Sequence, residues 1–380
     1  MRNQNILFLD QYSGLSGGQK VLLDIIKSLS KKGWFCTVVL PGKGLLLEKI
    51  EALGGKCVIF PIGKYGIGKK SLLDILNYAF KIPALTFMLV GLIKKNNPDV
   101  VYANGARTFA WATLACTITK KPLLWHVHSI FEKGINQKIC LFFGRFNIVK
   151  KIIAVSRAAA LGLNKLSGKI EIIYNAVEEF NPDQRINILK DTYKIPADAL
   201  LVGNAGILEE WKNQEDLVRA ARIIQEKAIE NIYFFLIGDS VYKDNYRNML
   251  IKMIQNADLE KRVIFTGFRK DINQVMSSLD ILVINSKTPD PCPLVSLEAA
   301  SLGLAIISTD FGGTKEIFSE NKEAIFYKAG DYHCLAEKIV YLNSHREEIH
   351  ALGKQARLKV REKHNLNKYL KRIADILEGI

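Results

Sequence analysis

Paired cysteines are missing from this 380-residue chain. Its six cysteines (Cys36, Cys57, Cys116, Cys140, Cys292, Cys334) lie far apart, with no Cys-x-x-Cys. A zinc ribbon, a dithiol redox motif and a secreted disulfide scaffold do not fit such spacing; buried thiols in a reducing cytosol do. Long apolar runs are missing too. The first, Ile6 to Leu9, ends at Asp10 and is too short for a signal-peptide core. The longest, Ile82 to Ile93, contains Pro83 and is flanked by lysines, and its twelve residues fall short of the roughly 20 that span a bilayer. A cytoplasmic protein that does not cross the membrane is expected. Low-complexity segments and short-period repeats are also absent.

Acidic residues are scarce in one half only. Residues 1–180 hold 25 of the 53 Lys and Arg but 10 of the 38 Asp and Glu, whereas residues 181–380 hold 28 of each. The whole net charge of +15 therefore sits in the first half. A polyanionic partner, an anionic membrane or nucleic acid, suits that asymmetry, and so does a solvated basic surface. A stacking platform rich in aromatics is lacking, so nucleic acid is not an expected partner.

Short apolar runs alternate with helix-period segments along nearly the whole chain. Strands are expected at 6–9, 35–40, 57–61, 100–102, 123–127, 152–155 and 171–174, then at 200–205, 233–237, 263–266, 281–284, 305–308 and 324–327. Between the first two, residues 18–32 put Leu22, Ile25, Ile26 and Leu29 on one helical face, with Gly33 after the end. Continuous apolar strands alternating with helices predict parallel sheets covered on both faces. Residues 176–198 are polar, hold two prolines and lack a strand, which places a linker there. The fold class expected is α/β: two Rossmann-like doubly wound domains, over 1–180 and 199–360, facing a central cleft, with a helical, basic end over 361–380. Ligands in such sheets bind beyond the carboxyl ends of the strands.

Two phosphate-loop candidates differ in quality. Gly63 to Lys69 has Walker A spacing, but Lys70 stands where magnesium needs a hydroxyl; a basic loop is the better description. The turn from Gly14 through Gly17, Gly18 and Gln19 joins the first strand to the first helix, where amides and the helix dipole meet an anion. It is not Gly-x-Gly-x-x-Gly, and the second strand runs into Pro41 rather than a ribose-binding acid, which argues against a nicotinamide dehydrogenase. A tight turn alone would also explain the glycines.

In the second half, residues 285–303 run from a strand through a proline-rich loop into a helix expected to start near Pro293. The amides of Leu294 and Val295 suit a phosphate. Glu298 leans back toward the same ligand and suits two ribose hydroxyls, and Asp290 suits sugar hydroxyls. An acid that merely offsets the helix dipole would look alike. His126 and His128 share a strand face, as a metal pair would, but two ligands without a third make a poor site.

Taken in order, these residues resemble the retaining glycosyltransferases of family 4, which have the GT-B fold. The resemblance implies an acceptor-binding domain over 1–180, a nucleotide-sugar-binding domain over 199–360 and a helix over 361–380 that packs back on the first domain. The family's Glu, seven residues, Glu appears as Asp290 and Glu298. The series continues with Ser13–Gly18, His128, Val155-Ser156, Ile173–Val177, Gly206 through Gln214, Leu236–Asp239, Phe265–Gly267 and Phe311–Glu316. The resemblance implies that Glu298 holds the donor ribose, that Leu294 and Val295 hold a phosphate, and that Gly267 and Phe268 frame the base. It also implies that Lys212 neutralises the diphosphate, that Gly17 and Gly18 approach it, and that His128 and Asp290 serve the sugar. No metal or other cofactor is implied; the nucleotide-sugar is a substrate. Glycan or lipid-linked acceptors at the inner membrane face are implied partners, with Lys64, Lys69, Lys70, Lys81, Lys94, Lys95, Lys138, Arg145, Lys150 and Lys151 flanking apolar stretches that suit peripheral contact with anionic lipid.

Two positions depart from the family. Ile207 stands where Arg usually follows Gly206, with Arg269 or a lysine of the basic half as substitutes, and Asp290 is one methylene shorter than Glu. A sugar-nucleotide 2-epimerase of the same fold and a catalytically impaired nucleotide-sugar-binding subunit are the alternatives.

Overall fold

A computed structural model describes residues 4–63, 72–180, 187–240 and 244–380. Lys64, Lys69 and Lys70, with most of the Walker-like stretch, lie outside these residues. The chain divides into two compact units, residues 1–175 with 367–380 and residues 176–366.

The first unit is built on seven parallel strands in the order β3-β2-β1-β4-β5-β6-β7. They are β1 (Asn5–Asp10), β2 (Phe35–Leu40), β3 (Lys56–Ile59), β4 (Val100–Asn104), β5 (Leu123–Val127), β6 (Val149–Ala154) and β7 (Ile170–Ile172). The order turns back after β3, so β1 and β4 are the neighbours at the switch point, paired from Ile6 with Val100 to Asp10 with Asn104. Ligands of doubly wound sheets collect at that place. Leu7, Leu9, Val38, Val101 and Leu123 are fully buried, as strands covered on both faces require. The helices are α1 (Gly17–Lys31), α2 (Leu45–Ala52), α3 (Leu72–Asn96), α4 (Ala106–Thr119), α5 (Ile135–Gly144) and α6 (Arg157–Leu161). Helix α1 buries Leu22, Ile25, Ile26 and Leu29, the face expected from its spacing. Its chain leaves through Gly33 at φ +85°, the left-handed exit that glycine favours.

The second unit has six parallel strands in the order β10-β9-β8-β11-β12-β13. They are β8 (Leu200–Ala205), β9 (Ile232–Ile237), β10 (Val263–Gly267), β11 (Ile281–Ile284), β12 (Ala305–Thr309) and β13 (Ile325–Tyr327). Its switch point lies between β8 and β11, where Leu282 pairs with Gly203. Leu200, Val202, Phe234, Leu236, Ile281 and Val283 form the centre of its core. The helices are α7 (Ile188–Tyr193), α8 (Gln214–Glu226), α9 (Asn245–Gln255), α10 (Ile272–Ser277), α11 (Leu294–Ser301), α12 (Gly312–Ile317), α13 (Tyr332–Ser344) and α14 (Arg346–Lys363), followed by α15 (Leu366–Glu378). The stretch expected as a plain linker carries α7, whose Leu189 is buried; one apolar anchor was enough to order a turn that composition marked as loop. Within the first unit, Arg372 of α15 meets Glu171 at 2.6 Å.

Candidate active site

The second unit ends three adjacent strands in glycines. Gly206 after β8, Gly238 after β9 and Gly267 at the end of β10 have φ of +154°, +134° and +67°. The Gly206 amide donates to Ile237 O at 2.9 Å and the Gly238 amide to Gly267 O at 3.0 Å. A Cβ on Gly238 would lie 1.9 Å from the Gly206 carbonyl oxygen, so the close approach, as well as the positive φ, requires glycine there.

Lys212 stands over this floor. It closes the 3-10 turn Glu210–Lys212, and the chain turns out of it through Asn213 at φ +56°. Buried asparagines hold that turn in place. Asn204 Nδ2, at the end of β8, donates to Asn285 Oδ1 at 2.7 Å. Asn285 Nδ2 donates to Asn213 O at 2.5 Å, and Asn213 Nδ2 donates to Asp216 at 2.5 Å. The Lys212 ammonium lies 4.3 Å from the Trp211 ring centroid and 2.9 Å from Asp290 Oδ2. Two residues matched to the family pattern thus meet in an ion pair.

The loop carrying Asp290 is clamped from behind. Gly313 N donates to Asp290 O at 2.8 Å. A Cβ on Gly313 would stand 2.0 Å from Pro291 O, and one on Gly312 would stand 2.6 Å from Asp290 O. The glycine pair of the Phe311–Glu316 motif therefore seats this loop, a role that sequence reading did not assign. Pro293 is the N-cap of α11, with ψ of 113°, rather than part of its first turn; the helix starts one residue later than expected. Leu294 and Val295 are then its first two residues, whose amides an α-helix leaves without intrahelical acceptors. Leu294, Ser296, Leu297, Ala299, Ala300 and Ser301 are buried. The helix reaches solvent only at Val295 and Glu298, one turn apart on one face. Phe268, just past Gly267, is 67% exposed. Arg269 is forked onto Asp271 at 2.8 and 2.6 Å, so the cation considered as a substitute at Ile207 has a carboxylate partner already. Ile207 itself is half-buried, and its carbonyl accepts from Gln214 Nε2 at 2.9 Å.

Gly17, Gly18 and His128 come together in the first unit. Gly17 and Gly18 open α1 behind the Ser16 N-cap, and neither has positive φ. A tight turn is therefore not why they are glycines. Gly17 is exposed, and a Cβ on Gly18 would rest in ordinary contact with the imidazole, 3.4 Å from His128 Cγ, so Gly18 and His128 are neighbours. His128 and His126 rings lie 3.9 Å apart. One nitrogen of each ring has a partner, His128 Nε2 with Asn104 Oδ1 at 2.8 Å and His126 Nδ1 with Tyr102 Oη at 2.7 Å, while His126 Nε2 is buried without one. Burial pushes the His128 imidazole down to about 4 and His126 well below its ordinary value, the latter also through the neighbouring His128. Both rings are neutral at pH 7. No group of three or more His, Cys, Asp or Glu is placed to hold a metal ion among the described residues.

Sequence reading missed Asp10 and Asn104. They end β1 and β4 at the switch point, where Asp10 is wholly buried and accepts from Asn104 Nδ2 at 2.6 Å. Polar residues terminating apolar strands were the available signal, and they were indistinguishable from ordinary strand ends.

Comparison with known proteins agrees with this layout. The family model for Glycosyltransferase Family 4 matches residues 15–179, and that for Glycosyl transferases group 1 matches residues 186–359. The chain is 24% identical over 307 residues to an Escherichia coli UDP-Gal:alpha-D-GlcNAc-diphosphoundecaprenol alpha-1,3-galactosyltransferase, covering 76% of this chain and 77% of that protein. It is 29% identical over 156 residues to the E. coli O-antigen biosynthesis glycosyltransferase WclY, covering 40% of this chain and 41% of that one. A crystal structure of Anabaena HepE in complex with UDP superposes with a TM-score of 0.83 at 23% identity, over 99% of this chain and 100% of that one. With the tandem family matches spanning nearly its whole length, the chain belongs to the group 1 glycosyltransferases and has their GT-B fold.

Proposed function

We propose that the protein transfers a sugar from a nucleotide-sugar to a glycan or lipid-linked acceptor hydroxyl, with retention at the anomeric carbon and without a metal. The observation that carries this reading is helix α11, buried everywhere except at Val295 and Glu298, with Asp290, on the loop before it, paired to Lys212. Glu298 is suited to the ribose diol, the leading amides of α11 to a phosphate, and the exposed Phe268 with Gly267 to the base. The Escherichia coli relative is named for UDP-galactose, and HepE was solved with UDP; both names favour a uridine nucleotide.

As the bond from the sugar to the diphosphate breaks, negative charge grows on the leaving group and positive charge on the ring. In this reading Lys212 stabilises charge that develops only in the transition state. The acceptor oxygen bonds to the anomeric carbon from the face the diphosphate leaves. Its proton passes to a donor phosphate oxygen, so no side-chain nucleophile is consumed. Asp290 takes hydroxyls of the sugar, and His128 beside the glycine loop serves the same group.

Peripheral attachment to anionic lipid accompanies this proposal. Among the described residues no helix is long and apolar enough to cross a membrane. Two helices of the basic unit instead expose apolar faces. On α3 these are Phe80 and Phe87, 81% and 72% exposed, with Met88 beside them. On α5 they are Ile135, Ile139 and Phe142. Exposed Lys81, Lys94, Lys95, Lys138 and Arg145 stand beside them, the composition of an interfacial helix.

A thermal-shift panel of nucleoside diphosphates and their sugars tests the donor site. One base is expected to raise the Tm of the parent strongly and that of Glu298→Ala far less. Equal shifts in both proteins would overturn the assignment of α11. Transfer is then read by the anomeric configuration of the product, with and without chelator.

A further inference from the structure

At the switch point of the first unit a carboxylate is buried among neutral donors. Asp10 accepts from Tyr12 N at 2.7 Å, from Gln19 Nε2 at 2.9 and 3.1 Å and from Asn104 Nδ2 at 2.6 Å. Its carboxyl is raised to about 6, chiefly by burial, and those hydrogen bonds pull it back only in part. Burying an acid without a cation is costly, so the arrangement calls for a purpose beyond packing.

The hydrogen-bond polarity supplies one. A carboxylate only accepts, so Asn104 must turn its amide nitrogen toward Asp10. The Gly18 carbonyl, 3.5 Å from the same nitrogen, accepts only as well and demands the same orientation. Asn104 Oδ1 is thereby turned to His128, and an amide oxygen can only take a proton. The hydrogen on the His128 ring therefore sits on Nε2, 2.8 Å away, and Nδ1 keeps its lone pair. Through Gln19, in the first turn of α1 and also hydrogen-bonded to Ser16, the same carboxylate holds the start of the glycine loop.

We propose that Asp10 is a positioning residue that, through Asn104, fixes His128 as the Nε2–H tautomer and locks the glycine loop to the same point. In that tautomer Nδ1 can only accept a hydrogen bond, so His128 meets a ligand hydroxyl as an acceptor and acts neither as a cation nor as an acid. The role toward the sugar rests on the transferase reading above; the tautomer does not.

The test uses the whole protein with nitrogen-15-labelled histidine, its His128 signals identified by their loss in His128→Gln. Two-bond correlations separate protonated from unprotonated ring nitrogens without any substrate. The parent is expected to show one neutral form with the proton on Nε2 at pH 7. Asp10→Asn, which can donate as well as accept, and Asn104→Leu should each give a mixture or the opposite tautomer. Transfer should fall about 10–100-fold in kcat in both, as for other partners that orient a histidine. A residue with a merely structural role would lower Tm and leave the tautomer of the folded protein alone. A parent spectrum with the proton on Nδ1, or the Nε2–H form retained in both variants, overturns the proposal. An intact tautomer shift in a protein that transfers no sugar would refute the transferase reading instead.

Discussion

Lys212 and Asp290, 78 residues apart, form an ion pair of 2.9 Å in which each side chain is less than a fifth exposed. The cation that the proposed mechanism assigns to the diphosphate is therefore engaged by the residue it assigns to the sugar. A donor entering this site must take Lys212 from Asp290 or share it. The pair also keeps the ammonium extended over Gly206, whose Cβ position would be 4.0 Å from Lys212 Cε, so little side-chain freedom remains to be lost on binding.

Removing the partner should separate the two functions. In Asp290→Ala the lysine has lost its competitor, and the free nucleoside diphosphate is expected to bind several-fold more tightly by calorimetry. Transfer should drop about 100-fold or more in kcat, since a group that acts in the transition state is gone. Weaker nucleotide binding would show that Asp290 orients Lys212 rather than competing for it.

Restoring the cation missing at Ile207 is expected to help. Arg269 is already forked onto Asp271, and a preorganised donor at a developing anion is worth about 100–1000-fold in rate. Ile207→Arg should raise kcat by about tenfold or more in steady-state assays, with its Tm close to that of the parent. An unchanged or lower kcat would mean that the site does not use a charge at this position.

Acid should destabilise the first unit through its two neutral histidines. His128 is held at about 4 against an ordinary 6.5, and His126 is shifted the same way. Between those values the unfolded chain binds more protons, so stability is lost as pH falls from about 6.5 toward 4. Asp10, raised to about 6, works in the opposite sense, because the folded form binds its proton first. Melting curves from pH 7 to pH 5 should therefore show a shallower Tm decline in His128→Gln than in the parent. The decline should be steeper in Asp10→Asn.

Vesicle sedimentation checks the apolar faces of α3 and α5. At low salt the parent should pellet with vesicles rich in anionic lipid and release as salt screens the lysines. Phe87→Asp combined with Phe142→Asp should abolish pelleting while leaving the nucleotide-induced Tm shift intact. Pelleting by the double variant would move the contact elsewhere.

Much of this architecture could be read from residue order. Each of the thirteen strands among the described residues overlaps an expected one, and the central ones announced themselves as apolar runs, since parallel strands buried on both faces tolerate little else. The edge strands β3 and β7 are only partly buried and keep Lys56 and Glu171. Lys212, Asp290, Val295 and Glu298 were singled out through the family resemblance, spacing alone leaving Glu298 as readily a dipole-offsetting acid; the structure pairs Lys212 with Asp290. What escaped notice depends on distance in space. Asp10 and Asn104 are 94 residues apart, and each alone is an unremarkable polar strand end; only the β1–β4 pairing makes them partners. The clamp of Gly312 and Gly313 on the Asp290 loop is likewise invisible until the two segments are placed side by side. Helix α7 escaped because its single buried leucine gave no periodicity to detect.

The bare main chain beneath Lys212 limits how this protein can change. Where Gly238 backs onto the Gly206 carbonyl, no side chain of any kind can be introduced without pushing strand ends apart. That part of the proposed donor surface is written in peptide groups, which are the same for every residue type. New preferences for base or sugar must therefore arise at the perimeter, from positions such as Ile207 and Phe268, while the floor stays constant.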